Sequence, residues 1–300
     1  MTHALDIQQV TRSFGRTAAV DNVSFQVPEN SIVGLLGRNG AGKTTLMSML
    51  AGQDRPDTGT VTVLGDKVFE RANTLSGISY VRDNQRYPDN YMLHHVLRIA
   101  PAFKPNWSRE LADELVDGFR IPAKTKITKM SRGQLSSVAI VLSLASRAPI
   151  TLLDEPYLGL DVTGRALFHR VLLDDYQTHP RTIVLSTHLI EESAALLDRV
   201  VIMDKGRIVV DDETENARDG AFVASGQTDA VGRLLVNHRI LETHTVGALA
   251  SVTAAGTLDD TLRQSARVAG VQLARASLQE LVSAYGVNES TSETKEKVRA

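Results

Sequence analysis

The run Gly37-Arg38-Asn39-Gly40-Ala41-Gly42-Lys43-Thr44-Thr45 fits the phosphate-binding pattern G-x-x-x-x-G-K-[ST]. Its chemistry is anion binding. Glycines let the backbone curl with no Cβ in the way, so successive N–H groups face one anion. Lys43 adds a point charge for β- and γ-phosphates, and Thr44 a hydroxyl for Mg²⁺. Two acids, Asp154 and Glu155, follow the apolar run that starts at Ile150. Beside a phosphate loop, the first can hold Mg²⁺ or its waters and the second can polarise a water as general base. His188 ends another apolar run, where an imidazole can reach a γ-phosphate. Ser131-Arg132-Gly133-Gln134 offers a hydroxyl, an open glycine N–H and a helix start. It is a second anion-binding end, which need not meet the first within one molecule. On residue types alone it reads equally well as a plain Ser N-cap. Phe14, in the turn Ser13-Phe14-Gly15-Arg16, is either a core residue at a strand end or an aromatic platform for a purine ring. His94, His95, His169 and His179 have no comparable setting, and no histidine–carboxylate spacing suggests zinc.

The elements around these residues must aim them. Ser31 to Leu36 is short and apolar, as a buried parallel strand requires, and a helix starts after the loop at Thr45. Residues 4–30 read as strands with turns, Val23, Phe25 and Val27 alternating with polar neighbours. Further strands are predicted at 60–65, 78–81, 150–155, 182–188, 199–203 and 207–210. Residues 91–147 turn helical, with Ser108 a cap candidate, and form a helical insert at about 88–147. Helices are predicted at 163–176 and 191–198. The acidic run Asp211 to Asn216 reads as a surface linker. Beyond it, Val/Ala-rich strand segments alternate with helical pieces at 228–236, 258–268 and 278–285. The expected division is a nucleotide-binding region over 1–212, a small α+β accessory region over 213–286, and a polar, disordered tail over 287–300.

Composition bounds the answer. At 300 residues and ~150 per domain, one large unit plus a small one, or two domains, is expected. Net charge −2 argues against a nucleic-acid partner, which usually meets a basic face. The absence of cysteine excludes a disulfide framework, a thiolate metal site and a cysteine nucleophile. No run approaches the ~18 apolar residues of a membrane span, and the N-terminus lacks signal-peptide character. A role at a membrane would therefore need another chain to supply the spans. A guanine-reading N-K-x-D sequence is absent.

The order phosphate loop, polar loop with glutamine, S-x-G-Q, apolar-D-E-P, G-L-D and S-T-H resembles the nucleotide-binding domain of ATP-binding cassette (ABC) proteins, over residues 4–210. The resemblance implies an α/β P-loop NTPase of ABC type, with a mixed β-core and helical insert; the small α+β region lies beyond the residues it covers. It implies an ATPase using ATP and Mg²⁺. Phe14 matches the adenine-stacking aromatic, and Gly37, Asn39, Gly40, Ala41, Gly42, Lys43, Thr44 and Thr45 the phosphate loop. Ser131, Gly133 and Gln134 match the signature that contacts the γ-phosphate held by an opposite subunit. Asp154 matches the metal-holding acid, Glu155 the catalytic base, Asp161 the D-loop and His188 the switch histidine. Two departures stand out. Arg132 replaces a usual glycine in the signature. The metal-sensing glutamine position falls at Asp83 by distance from Tyr80, while the nearest glutamine, Gln85, is taken for the role. Phe103-Lys104-Pro105-Asn106-Trp107 resembles exporter-type subunits of the antibiotic- and bacteriocin-resistance kind. The implied partners are a multi-spanning permease and a second copy of the chain, or a paralogous subunit, at the cytoplasmic face of a membrane. The rival readings are a soluble ABC ATPase acting on ribosome or nucleic acid, and a regulatory nucleotide-binding protein.

Overall fold

The computed structural model describes residues 3–82 and 85–287. The chain begins with strands β1 (His3–Phe14) and β2 (Thr17–Pro28), then β3 (Ile32–Gly37), the phosphate loop and helix α1 (Lys43–Leu50). Next come β4 (Thr58–Val63), β5 (Asp66–Lys67), α2 (Ala72–Ser76) and β6 (Ile78–Val81). The helical insert holds α3 (Leu93–Ile99), α4 (Arg109–Gly118) and α5 (Arg132–Leu144). The sheet resumes with β7 (Ile150–Asp154), α6 (Val162–Thr178), β8 (Thr182–Ser186), α7 (Ile190–Ser193), β9 (Arg199–Asp204) and β10 (Arg207–Glu213). Last come α8 (Thr214–Asp219), β11 (Ala221–Gln227), α9 (Thr228–Leu234), β12 (Arg239–Val246), β13 (Leu249–Ala255), α10 (Asp260–Ala269), β14 (Gln272–Arg275) and α11 (Leu278–Val287).

The main sheet runs β10-β9-β3-β8-β7-β6, parallel except for edge strand β10. β3, β7 and β8 are buried along their whole length, because the sheet is covered on both faces. Val33 and Leu35 point to one face, where they meet α1 and the antiparallel sheet β2-β1-β4-β5. Ile32 and Leu36 point to the other, where the covering residues include Phe168 of α6, Ile190 of α7 and Leu281 of α11. The helical insert is fixed by its caps. Ser108 Oγ accepts from Leu111 N at 3.2 Å, and Ser131 and Gln134 form a reciprocal capping box at the start of α5.

Residues 221–275 form the order β-α-β-β-α-β, with strands arranged β12-β13-β11-β14. This is the ferredoxin-like split βαβ topology. One face of this sheet has its own core under α9 and α10, built on Phe222, Val231, Val252 and Leu262. The other face does not. Val223 and Leu241 join Leu278, Leu281 and Val282 of α11 in the same core as the main sheet.

Two expected segments differ. The helix predicted for 191–198 is a single turn, α7, followed by a 3-10 turn, Ala194–Leu196. Asp198 ends it early, because its side chain accepts from Ile32 N at 2.8 Å and its own N–H bonds the Ile32 carbonyl. These bonds draw the chain into β9. The acidic run at 211–216 is no linker. Asp211 to Glu213 complete edge strand β10, with Asp211 paired to Arg199 at 2.7 Å, and buried Thr214 opens α8. Charged residues suit an edge strand, whose outer side faces water. The tail expected at 287–300 lies outside the described residues, apart from Val287 at the end of α11.

Candidate functional site

Three adjacent strands, β3, β8 and β7, run parallel and end on one side of the sheet. Their C-terminal ends carry Gly37, Ser186 and Asp154. The phosphate loop, His188 and the Asp154-Glu155 pair therefore leave the sheet side by side, in the crevice where open α/β sheets hold ligands.

Sterics set the loop's glycines. Gly37 has φ 145° and Gly42 φ 104°, and a Cβ at either would collide with a backbone carbonyl, of Met203 and Ala19 respectively. Asn39 and Gly40 are exposed at the loop's crest, Ala41 is buried beneath it, and Thr45 is half-buried behind exposed Thr44. Lys43 opens α1, is only 7% exposed, and donates to the Gly37 carbonyl at 2.7 Å and the Arg38 carbonyl at 3.1 Å. Burial pushes its ammonium below the ordinary lysine value, opposed by the charges of Glu155 and Asp154. Lysine and acids thus feel one another across the crevice.

Asp154 is 4% exposed, and its Oδ1 has no hydrogen-bond partner among the described residues. A buried carboxylate oxygen without a donor is costly. It suits a cation or a cation's water, and exposed Thr44 supplies a second oxygen at the same crevice. These residues fit Mg²⁺, which takes few protein oxygens and keeps waters and phosphates for the rest. Gln85 lines a small cavity together with Asp154 and Glu155, so it reaches the same corner. Asp83, the other candidate for that role, lies outside the described residues.

Glu155 sits at φ 51°, a left-handed backbone that a non-glycine residue adopts at a cost. Its N–H donates to the Ser186 carbonyl at 2.9 Å. Its Oε2 lies 2.6 Å from His188 Nδ1 and accepts from His188 N at 3.3 Å. The histidine is half-exposed. The carboxylate and imidazole thus form one hydrogen-bonded pair, fixed to the sheet through the glutamate and aimed at solvent through the histidine.

The signature residues stand at the start of α5. Ser131 Oγ accepts from Gln134 N at 3.3 Å, and Gln134 Oε1 accepts from Ser131 N at 2.9 Å. The N-cap reading is therefore correct, and it does not exclude the other. The Ser131 hydroxyl proton is not used by the capping box, and Ser131 is exposed. Gly133 packs so close to Gly159 that a Cβ at Gly133 would strike the Gly159 carbonyl. Ser136 Oγ donates to the Leu158 carbonyl at 2.5 Å. These contacts seat α5 on the loop that follows Glu155. Asp161 caps α6, its Oδ1 accepting from Gly164 N at 2.7 Å.

Phe14 is 54% exposed, which sets aside its reading as a core residue. The Arg12 guanidinium lies 4.9 Å from its ring centroid and is anchored by Asp54 and Asp57. Sequence reasoning missed other residues near the site. Arg38 Nη1 donates to the Gly286 carbonyl of α11 at 3.0 Å, and Gln279 N of α11 donates to Glu191 Oε1 of α7 at 3.0 Å. No local pattern could reveal contacts between residues this distant in sequence.

Comparison with known proteins adds a second line. The family model for the ABC transporter matches residues 20–158. Nod factor export ATP-binding protein I of Mesorhizobium japonicum is 32% identical over 70% of this chain and 63% of its own length. An uncharacterized ABC transporter ATP-binding protein of Methanocaldococcus jannaschii is 32% identical over 70% of this chain and 77% of its own. Aliphatic sulfonates import ATP-binding protein SsuB of Burkholderia ambifaria is 29% identical over 77% and 72%. The chain thus spans a little under two thirds of the Nod factor relative's length. The solved structure of an ATP-binding subunit of an ABC transporter superposes with TM-score 0.65 at 22% identity, covering 72% of this chain and 92% of that one, which shows a shared fold.

Proposed function

Because the chain belongs to the family of ABC transporter ATP-binding proteins, we propose that it binds and hydrolyses ATP and energises a separate membrane permease through ATP-dependent pairing of two subunits. The observation that carries this reading is the convergence of Lys43, Asp154 and the Glu155–His188 pair on the ends of three neighbouring strands. The loop amides and Lys43 bind the β- and γ-phosphates. Mg²⁺, held by Thr44 and Asp154 with Gln85 nearby, would neutralise phosphate charge there. Glu155 holds the attacking water as general base, and His188, bonded to it, faces the γ-phosphate. Phe14 offers its exposed ring to adenine, with Arg12 on one face.

One subunit leaves the outer side of the γ-phosphate open. Exposed Ser131 and the N–H of Gly133 are the groups a second subunit brings to it, with Asp161 alongside. A single chain carries both halves, so a homodimer suffices; a paralogous partner would serve equally. A groove of about 500 Å³ between the helical insert and β6, lined by Tyr80, Gln85, Phe103 and Lys104, supports permease docking next to the metal-sensing residue. No helix among the described residues is long and apolar enough to cross a membrane, so the spans fall to that partner. We read the direction as export, from the Phe103–Trp107 segment and the Nod factor relative; the sulfonate importer is the counterweight.

Glu155→Gln tests the core of this reading. The variant should bind ATP, lose at least about 100-fold in turnover, the low end of what general-base catalysis supplies, and accumulate as an ATP-bound dimer in gel filtration. Brisk turnover in it would remove Glu155 from the mechanism. Inside-out vesicles with the co-purified permease should accumulate substrate if the direction is export.

A further inference from the structure

Tyr157 lies two residues beyond Glu155 and is 2% exposed. Its ring stacks edge-on against Phe168 and His169 of α6, with centroids 5.3 Å apart in both cases. Its hydroxyl lies 3.0 Å from His169 Nε2 and 3.0 Å from Ser193 Oγ on α7. Ser193 Oγ also bonds the Leu189 carbonyl at 3.0 Å, directly after His188. Burial pushes the phenol up and the His169 imidazole down from their ordinary values, so both stay neutral near pH 7.

These bonds close a ring of chain segments. Glu155 and His188 are joined by their own hydrogen bond. From Glu155 the chain runs through Pro156 to Tyr157, and from His188 through Leu189 to Ser193. The Tyr157–Ser193 bond joins the far ends, a second rung parallel to the first. Glu155 needs such support, because a left-handed non-glycine backbone persists only where its surroundings over-determine it. The Ser186 carbonyl holds one side of it, and the turn from Glu155 to Leu158, anchored by Tyr157, holds the other. A buried tyrosine needs some partner for its hydroxyl. Here that partner sits on α7, the short helix that starts two residues after the histidine.

We propose that Tyr157, through its hydroxyl to Ser193, is a positioning residue that fixes the distance between Glu155 and His188 and so sets the rate of ATP hydrolysis without contributing to ATP affinity. This rests on the reading of Glu155 as the base. Tyr157→Phe keeps the ring and removes the rung. In the full chain, steady-state ATPase assays should show kcat reduced about tenfold, some 1.4 kcal/mol of barrier, with KM for ATP changed less than about twofold. Ser193→Ala should reproduce the loss, and the pair together should cost no more than either alone. In a His188→Ala background, Tyr157→Phe should have no further effect. A purely structural tyrosine would instead lower the rate by the same factor in both backgrounds, or raise KM in step. Unchanged kcat in Tyr157→Phe, or equal losses with and without His188, overturns the proposal. If Tyr157→Phe does not fold, the Ser193→Ala and His188→Ala cycle gives the same decision. Wild-type turnover that survives Glu155→Gln would sink the base assignment itself, a result separable from a silent Tyr157→Phe.

Discussion

Buried titratable groups make the residue scale testable. His169 is half-buried against Tyr157, and burial lowers its imidazole below the usual value; Glu192 pulls it up and Arg165 pushes it down. The folded state therefore binds the proton less readily than the unfolded chain, whose histidine titrates near ~6.5. Stability should rise with pH up to about that value and then level off, because the unfolded state holds more protons below it. His95 acts with the same sign. His169→Gln should flatten part of this slope, read as the wild-type-minus-variant difference in urea midpoint between pH 5 and pH 7.5. A difference that does not change with pH would mean His169 titrates alike in both states. At this scale the sequence was most informative for groups whose chemistry is local. Lys43, Thr44, Asp154 and Glu155 are set by spacing within one strand–loop–helix unit or at one strand end. Phe14 was ambiguous, because exposure depends on what packs beside it. Tyr157 and His169 gave no signal: their bond joins two elements, and each alone resembles an ordinary core or surface residue.

At the scale of elements, α11 is the one whose role its own sequence understates. Leu278, Leu281 and Val282 read as one apolar helix stripe of an appended region. In the fold they cover the main sheet and the back of the ferredoxin-like sheet at once, and Ser283 donates to buried Glu242 of β12 at 3.0 Å. Leu281→Ala should cost about 2–5 kcal/mol, the range for emptying a packed leucine site. Val268→Ala, at an 82% exposed site on α10, should stay within about 0.5 kcal/mol. Equilibrium urea unfolding of the full chain separates the two, and a near-neutral Leu281→Ala would show that α11 is loosely held. The strands and most helices were legible because apolar period and length agree in them. The helical pattern of 191–198 is cut short because a tertiary bond, Asp198 to Ile32, outweighs it. The acidic 211–216 run is not legible as a strand, because an edge strand and a loop share the same composition.

On the scale of the whole molecule, the C-terminal region is joined to the cassette through a shared core, with Arg38 and Glu191 each bonded to α11. A chain ending before Leu278 should expose the sheet face around Leu36 and Ile202, unfold at lower urea and bind an apolar dye. A truncated chain with wild-type stability and ATPase rate would show that the cassette is complete without α11. This attachment also bears on how the protein is made. Arg38 precedes its partner Gly286 by 248 residues. At about 5–20 residues per second, the ribosome needs roughly 12 to 50 s to travel between them. The main sheet is complete only once β10 has been made, so the face that α11 covers stands open to water for the shorter stretch of synthesis between Glu213 and α11, and the helix seals it afterwards.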